Sequence, residues 1–270
     1  MSRQRPFLSC FFTGAIVLLS VASVSAEELR EEFREFYDLS PGETLSVQNT
    51  NGSLDIAKWN ESRVLVEATK TVEALGSSRA EEAMNALRIE IDHHHDRLEI
   101  RTELPKNSEG VMSWLFGRRV RARVAYRIRV PSGVHVQATT VNGNVTVEAV
   151  DGQVSAKTTN GQIRISDAGA GTSASTTNGS IRAEFRNLAG IGGVDLRTTN
   201  GGITVYAPAD VQCSLSASTV NGAVSTDFAI SGVHSRSRKR LHGDINGGGR
   251  ELSLKTVNGS IQLRKKSSSS

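Results

Sequence analysis

From Val120 the chain alternates strictly. In VRARVAYRIRV, Val120, Ala122, Val124, Tyr126, Ile128 and Val130 share one face and Arg121, Arg123, Arg127 and Arg129 share the other. That period of two predicts a strand lying half against a core. Pro131-Ser132-Gly133 ends it, and then one word keeps returning. It reads TVNGNV at 140–145, TTNGQI at 158–163, TTNGSI at 176–181, TTNGGI at 198–203, TVNGAV at 219–224 and TVNGSI at 256–261. Apolar alternation precedes it, as in Val136-x-Ala138, Val154-x-Ala156, Val194-x-Leu196, Leu215-x-Ala217 and Leu252-x-Leu254. Thr140, Thr158, Thr176, Thr198, Thr219 and Thr256 continue that parity, and so do the asparagines. After each glycine the parity shifts by one, to Val145, Ile163, Ile181, Ile203, Val224 and Ile261. A parity shift at a fixed point predicts a corner.

The corners are Asn142-Gly143, Asn160-Gly161, Asn178-Gly179, Asn200-Gly201, Asn221-Gly222 and Asn258-Gly259, at spacings of 18, 18, 22, 21 and 37 residues. Asparagine tolerates left-handed dihedrals and glycine adopts them freely, so the pair is read as a tight turn. One such corner per 18–22 residues, with two strand words between corners, predicts one coil of a β-solenoid. Stacked coils would align the asparagines in a column whose amides bond along the axis. The bias of parallel crossovers predicts a right-handed coil. The alternative is an antiparallel β meander or sandwich with Asn-Gly as hairpin loops. The solenoid is preferred because intervening turns, such as Val150-Asp151-Gly152, lack the TxNG word. The 37-residue interval spans about two periods and carries a basic insertion.

The first part of the chain is more mixed. Leu29, Phe33 and Phe36 in EELREEFREFY stand at helical spacing and predict a short amphipathic helix over 27–37. Leu45 and Val47, then Leu54 and Ile56 after Asn51-Gly52, then Val64, Val66 and Ala68 predict strands. Ser78 with Glu81 and Glu82 predicts a capped helix in SSRAEEAMNALR. RIEIDHHHDRLEIRTEL reads as two strands about a polar turn. Residues 1–26, with Arg3 and Arg5 before an apolar run and Val24-Ser25-Ala26 at its end, have the layout of a secretory signal peptide. The expected division is therefore signal peptide 1–26, an N-terminal α+β portion 27–117 with the first NG unit, a solenoid 118–266 and a disordered tail 267–270. An exported protein of the periplasm or cell surface is expected, with no transmembrane segment after cleavage.

Charge splits along the chain. Residues 27–117 hold 10 basic and 19 acidic side chains, net −9, and residues 118–270 hold 20 and 9, net +11. A basic face on the second part is expected, and head-to-tail self-association is a possible consequence. Removal of the leader leaves Cys213 as the single cysteine, in the alternating stretch VQCSLSA. It reads as a small core residue, and no disulfide is expected.

LSVQNTNGSLDIAKW, YRIRVPSGVHVQATTVNGNVTV and the repeated T-[TV]-N-G-x-[IV] through LKTVNGSIQL resemble the "putative adhesin" β-strand-repeat family, a domain of unknown function related to the toastrack repeats of bacterial envelopes. The resemblance covers about residues 40–264. It implies a secreted β-solenoid, an adhesin label by analogy, and an envelope-sensing or scaffolding role like that of domains attached to membrane stress-response proteins. It brings no catalytic residues. SWLFGRR and RSRKR depart from the family pattern.

Two basic features are candidate binding sites for anionic envelope polysaccharide, lipopolysaccharide or an envelope protein. One is the stripe Arg121, Arg123, Arg127 and Arg129, whose structural alternative is a cross-strand ladder with Glu99 and Glu103. The other is Arg236, Arg238, Lys239 and Arg240, expected on a loop leaving one coil. The Asn-Gly pairs read as structural corners. His93-His94-His95 reads as an exposed turn, and no metal site or cofactor is expected. The word Val111-Met112-Ser113-Trp114-Leu115-Phe116 is expected to cap the solenoid. Neither nucleic-acid binding nor catalysis is expected. The arginine stripe has no interleaved aromatics for base stacking, and no paired carboxylates or nucleophile–base pattern stands out.

Overall fold

The computed structural model describes residues 27–74, 76–103, 120–168, 171–186, 188 and 192–266. The signal-peptide, apolar-cap and tail expectations lie outside them. In chain order the elements are β1 (Glu27–Asp38), β2 (Thr44–Gln48), β3 (Leu54–Lys58), β4 (Arg63–Ala74), α1 (Ser77–Ala86), β5 (Arg88–His94), β6 (Arg97–Glu103) and β7 (Val120–Val130). The corner-bearing coils follow as strand pairs: β8 (His135–Thr139) with β9 (Val145–Glu148), β10 (Val154–Asn160) with β11 (Ile163–Ser166), and β12 (Thr172–Asn178) with β13 (Ile181–Glu184). Next come β14 (Val194–Asn200) with β15 (Ile203–Ala207), and β16 (Cys213–Asn221) with β17 (Val224–Thr226). A hairpin of β18 (Ser231–Arg236) and β19 (Arg240–Ile245) precedes the last pair, β20 (Arg250–Asn258) with β21 (Ile261–Lys265).

Two sheets result. The first, sheet A, runs β1-β4-β7-β3-β9-β11-β13-β15-β21-β17, and the second, sheet B, runs β18-β19-β16-β20-β14-β12-β10-β8-β2-β6-β5. Across the coils the pairing is parallel and in register: Thr158 faces Thr176, Thr176 faces Thr198 and Thr198 faces Thr256. The fold is thus the β-solenoid and not the meander. β2 and β3 form the first coil, and Asn51 bridges Asn142. The core lies between the sheets, where Ile163, Ile181, Ile203 and Ile261 from sheet A and Val154, Val194 and Leu252 from sheet B are almost wholly buried. Each such side chain contributes about 1.5–3 kcal/mol.

The corners work differently from the turn chemistry the sequence suggested. Among the seven corner glycines only Gly52 and Gly201 have positive φ, and no corner asparagine does. Glycine is required by close stacking instead: a Cβ on Gly161 would stand 2.0 Å from the carbonyl oxygen of Gly143, and one on Gly179 1.9 Å from that of Gly161. The threonine column completes the packing. Thr158 donates its hydroxyl to Gly143 O at 3.0 Å, Thr176 to Gly161 O at 3.1 Å and Thr198 to Gly179 O at 2.8 Å.

Two further expectations are corrected. Residues 27–37 are strand, not helix: β1 pairs antiparallel with β4 along its whole length, which turns Leu29, Phe33 and Tyr37 inward and leaves Phe36 45% exposed. Sheet pairing satisfies every residue on one edge of β1, which outweighs a weak helical period. α1 is present, but its first turn has no side-chain cap. The coils also do not stack in chain order. β20 lies between β14 and β16, so the asparagine column runs Asn200, Asn258, Asn221. The 37-residue interval is a coil followed by an antiparallel hairpin, and the chain then folds back to insert its last coil.

Candidate polyanion-binding face

The two sheets present different outer faces. On sheet A several charges have partners. Arg123 meets Glu73 at 3.4 Å, Lys58 meets Asp151 at 3.0 Å, Arg186 meets Asp167 at 3.2 Å and Lys266 meets Glu184 at 2.5 Å. Arg264 meets Asp227 at 2.9 Å and holds that carboxyl below the usual range, helped by the Lys265 backbone N–H and outweighing desolvation. The arginine stripe lies on this face. Arg127 stands opposite Glu67 and Asp55, Arg121 opposite Glu73, and Arg129 between Leu65 and Ala57. Of the stripe, Arg123 alone makes an ion pair among the described residues, and the acids that stand opposite the stripe come from β3 and β4. Glu99 is in the other sheet, bonded to Arg101 at 2.8 Å and to Gln48 at 2.9 Å. Exposed pairs of this kind add little stability, yet they cancel the local field.

On sheet B the register brings together residues distant in sequence. Three positions before each corner asparagine, the side chain points outward. The row reads Thr139, Lys157, Ser175, Arg197, Lys255, Ser218 and then Arg240 of β19. Strands stack about 4.8 Å apart, so the cations from Lys157 to Arg240 span about 24 Å along the solenoid axis. Arg197 is paired with Asp195 at 2.6 Å. Among the described residues, Lys157, Lys255, Arg238, Lys239 and Arg240 have no carboxylate within ion-pair distance. The flanking rows are mixed: Ser155 and Ser173 share one with Asp195, and Thr159, Thr177 and Thr199 share the other with the exposed Val141, Val257 and Val220.

The row ends at the β18–β19 hairpin. Its tip, residues 237–239, is a loop held by its own hydrogen bonds. Ser237 N donates to Arg240 O at 2.8 Å, and Ser237 Oγ accepts from the N–H of Arg240 at 3.1 Å. Thr219 N donates to Lys239 O and Val224 N to Arg238 O, each at 2.9 Å. These bonds dock the tip on the terminal coil and cover its exposed edge. Between tip and coil lies a hollow of about 540 Å3, lined among others by Ser218, Val220, Arg238, Lys239 and Arg240. Arg236 ends β18.

Sequence reading singled out the hairpin cations as candidates and did not single out Lys157, Arg197 and Lys255. The signal for them was there: each stands three positions before a corner asparagine.

The remaining candidates are structural in their contacts. Each corner asparagine bonds the next along the column, Asn142 Nδ2 to Asn51 Oδ1 at 2.8 Å and Asn178 Nδ2 to Asn160 Oδ1 at 2.8 Å. His93 lies edge-on to Tyr37 at 6.1 Å, and among the described residues no three His, Cys, Asp or Glu side chains converge as for a metal. Cys213 is buried, and burial with the nearby Asp244 charge pushes its thiol up to about 11. No helix among the described residues is long and apolar enough to cross a membrane.

The family model described as Toastrack DUF4097 matches residues 42–264, and the chain belongs to that family. Solved structures similar to it include a putative cell adhesion protein from Clostridium sporogenes, 13% identical over 87% of this chain and 100% of that one, with a TM-score of 0.46. A putative adhesin from Bacteroides fragilis is 10% identical over 87% and 97%, TM-score 0.36. A putative lipid binding protein from Parabacteroides distasonis is 15% identical over 87% and 96%, TM-score 0.31. No curated protein matches the chain.

Proposed function

We propose that this Toastrack DUF4097 protein is an exported, non-enzymatic envelope protein that holds a linear anionic polymer against the outer face of sheet B. One observation carries this reading. Lys157, Lys255 and Arg240 share one outward row of sheet B and, with Arg238 and Lys239 at the hairpin tip beside it, have no described carboxylate partner, whereas Lys58, Arg123 and Arg264 of sheet A each meet a carboxylate. Positive charges spread over about 24 Å suit repeating anionic groups better than one small anion. Charge-assisted bonds from Lys and Arg to phosphate or carboxylate supply the contact, and the row along the axis supplies its direction. The polymers that fit are phosphorylated lipopolysaccharide and other acidic envelope glycans.

Co-sedimentation with purified lipopolysaccharide, peptidoglycan and whole cells, across a salt series, tests this. Binding should fall as salt screens the face, and should fall further when Lys157, Lys255 and Arg240 are all changed to Ser. Absence of binding at every salt concentration would sink the proposal.

A further inference from the structure

The four sheet ends are not alike. β17 is three residues long and receives the Arg238 carbonyl; β18 carries a register shift between Ser231 and Ser235, with Gly232 at φ +56. β5 has seven residues. β1 has twelve, contains no proline, and pairs with β4 from Glu27 to Asp38 without a break. Among the described residues no strand lies on its other edge. Such an edge is a template for a further strand unless its side chains forbid it.

Its side chains forbid most partners and suit one. The outward row reads Glu28, Arg30, Glu32, Arg34, strictly alternating in sign, and all four are exposed. Turned antiparallel against itself with Glu31 opposite Glu31, this row sets Glu28 against Arg34, Arg30 against Glu32, and the reverse of each. All four outward pairs are then of opposite charge, and forming them exchanges the within-chain pairs Arg30–Glu28 at 2.7 Å and Arg34–Glu67 at 3.4 Å. The inward row in the same register sets Leu29 against Phe33 twice, both half-buried against the core cluster, and at its two ends sets Glu27 against Glu35, a like-charge pair that the four opposite-charge outward pairs outnumber. The central Glu31 is already neutralised within its own chain by Lys70 at 3.3 Å. A one-step slip would put inward residues opposite outward ones, and a two-step slip to Glu32 opposite Glu32 sets Arg30 against Arg34.

We infer that β1 is a dimerisation strand, pairing antiparallel with β1 of a second copy in the register Glu28 opposite Arg34. The interface is isologous and closes with two copies. Its two-fold axis runs through sheet A, perpendicular to it, so both sheet A outer faces point one way and both sheet B faces point the other. Two basic faces would then meet one polymer surface together, raising avidity without new contacts. The dimer itself does not depend on polymer binding.

Sedimentation velocity over a concentration series, on protein expressed from the full sequence, tests it. At low salt the wild type should be a dimer, and salt should weaken it. Arg30→Glu with Arg34→Glu makes the outward row wholly acidic, and Glu28→Arg with Glu32→Arg makes it wholly basic. Each variant alone should associate at least about tenfold more weakly, and a one-to-one mixture should restore a dimer. The mixture guards against misreading a folding defect. A wild type that stays monomeric, a dimer that persists in either variant, or a mixture that does not associate would overturn the inference.

Discussion

Asn160 Nδ2 donates to Asn142 Oδ1 at 2.8 Å, and Asn178 Nδ2 donates to Asn160 Oδ1 at the same distance. Each asparagine inside the column therefore both gives and receives one amide bond, and the residue at its end, Asn221, gives one to Asn258. A net hydrogen bond is worth about 0.5–1.5 kcal/mol. Asn178→Ala should lose about 1–3 kcal/mol of unfolding free energy in urea titration, and Asn221→Ala about half as much. Equal losses would show that the asparagines act only through turn propensity.

Glycine at the corners is a stacking requirement. A Cβ at position 161 would stand 2.0 Å from Gly143 O, and both groups are backbone. Gly161→Ala should therefore cost more than about 3 kcal/mol or prevent folding. Gly42→Ala is the control: it has φ +90 and open space around it, so only the left-handed strain applies, about 1–2 kcal/mol. Circular dichroism melts of the two variants separate these causes.

Thr176 is buried, and its hydroxyl reaches Gly161 O at 3.1 Å. Thr176→Val keeps the shape and strips a part-buried carbonyl of that donor, for a loss of about 1–2 kcal/mol. Thr176→Ser keeps the donor and should recover part of it. Denaturant midpoints for the pair would check this; a serine variant no better than valine would argue against the bond.

The Cys213 thiol, pushed up to about 11 by burial and Asp244, gives stability a defined alkaline limb. An unfolded thiol ionises near ~8.5. Below that both states hold the proton and the contribution is fully present. Between about 8.5 and about 11 the unfolded chain releases it and the folded chain keeps it, so stability falls with rising pH by about 2–3 kcal/mol in all. Melts at pH 8 and 10.5 should converge for Cys213→Ala relative to wild type. A thiol reagent at pH 8 should react only as the protein unfolds.

How much of this was legible depends on where the information sits. The parity shift after each Asn-Gly marked the coils because turn and strand words are local. The direct-register pairing of Thr158 with Thr176 follows from the same spacing. Residues 27–38 were misread because Leu29, Phe33 and Phe36 mimic a helical stripe, and only β4 reveals that Phe36 faces out to stack on Trp59 with ring centres 6.3 Å apart. The insertion of Asn258 between Asn200 and Asn221 could not be read, since the corner words are nearly identical and fit either order. Glu99 was assigned to the wrong sheet for a similar reason: alternation shows which face a residue takes, not which strand lies beside it. Lys157, Arg197 and Lys255 are far apart in sequence, and only stacking makes them a row.

The central claim is that the face of sheet B, rather than net charge, binds the polymer. The most direct measurement is the affinity of two charge-matched variants for purified lipopolysaccharide at one moderate salt concentration. One carries Lys157→Ser, Lys255→Ser and Arg240→Ser on sheet B; the other carries Arg121→Ser, Arg123→Ser and Arg127→Ser on sheet A. Each loses three positive charges. The sheet B variant should bind at least about tenfold more weakly than wild type, and the sheet A variant should stay within about twofold. Equal losses, or a larger loss from sheet A, would contradict the assignment of the site.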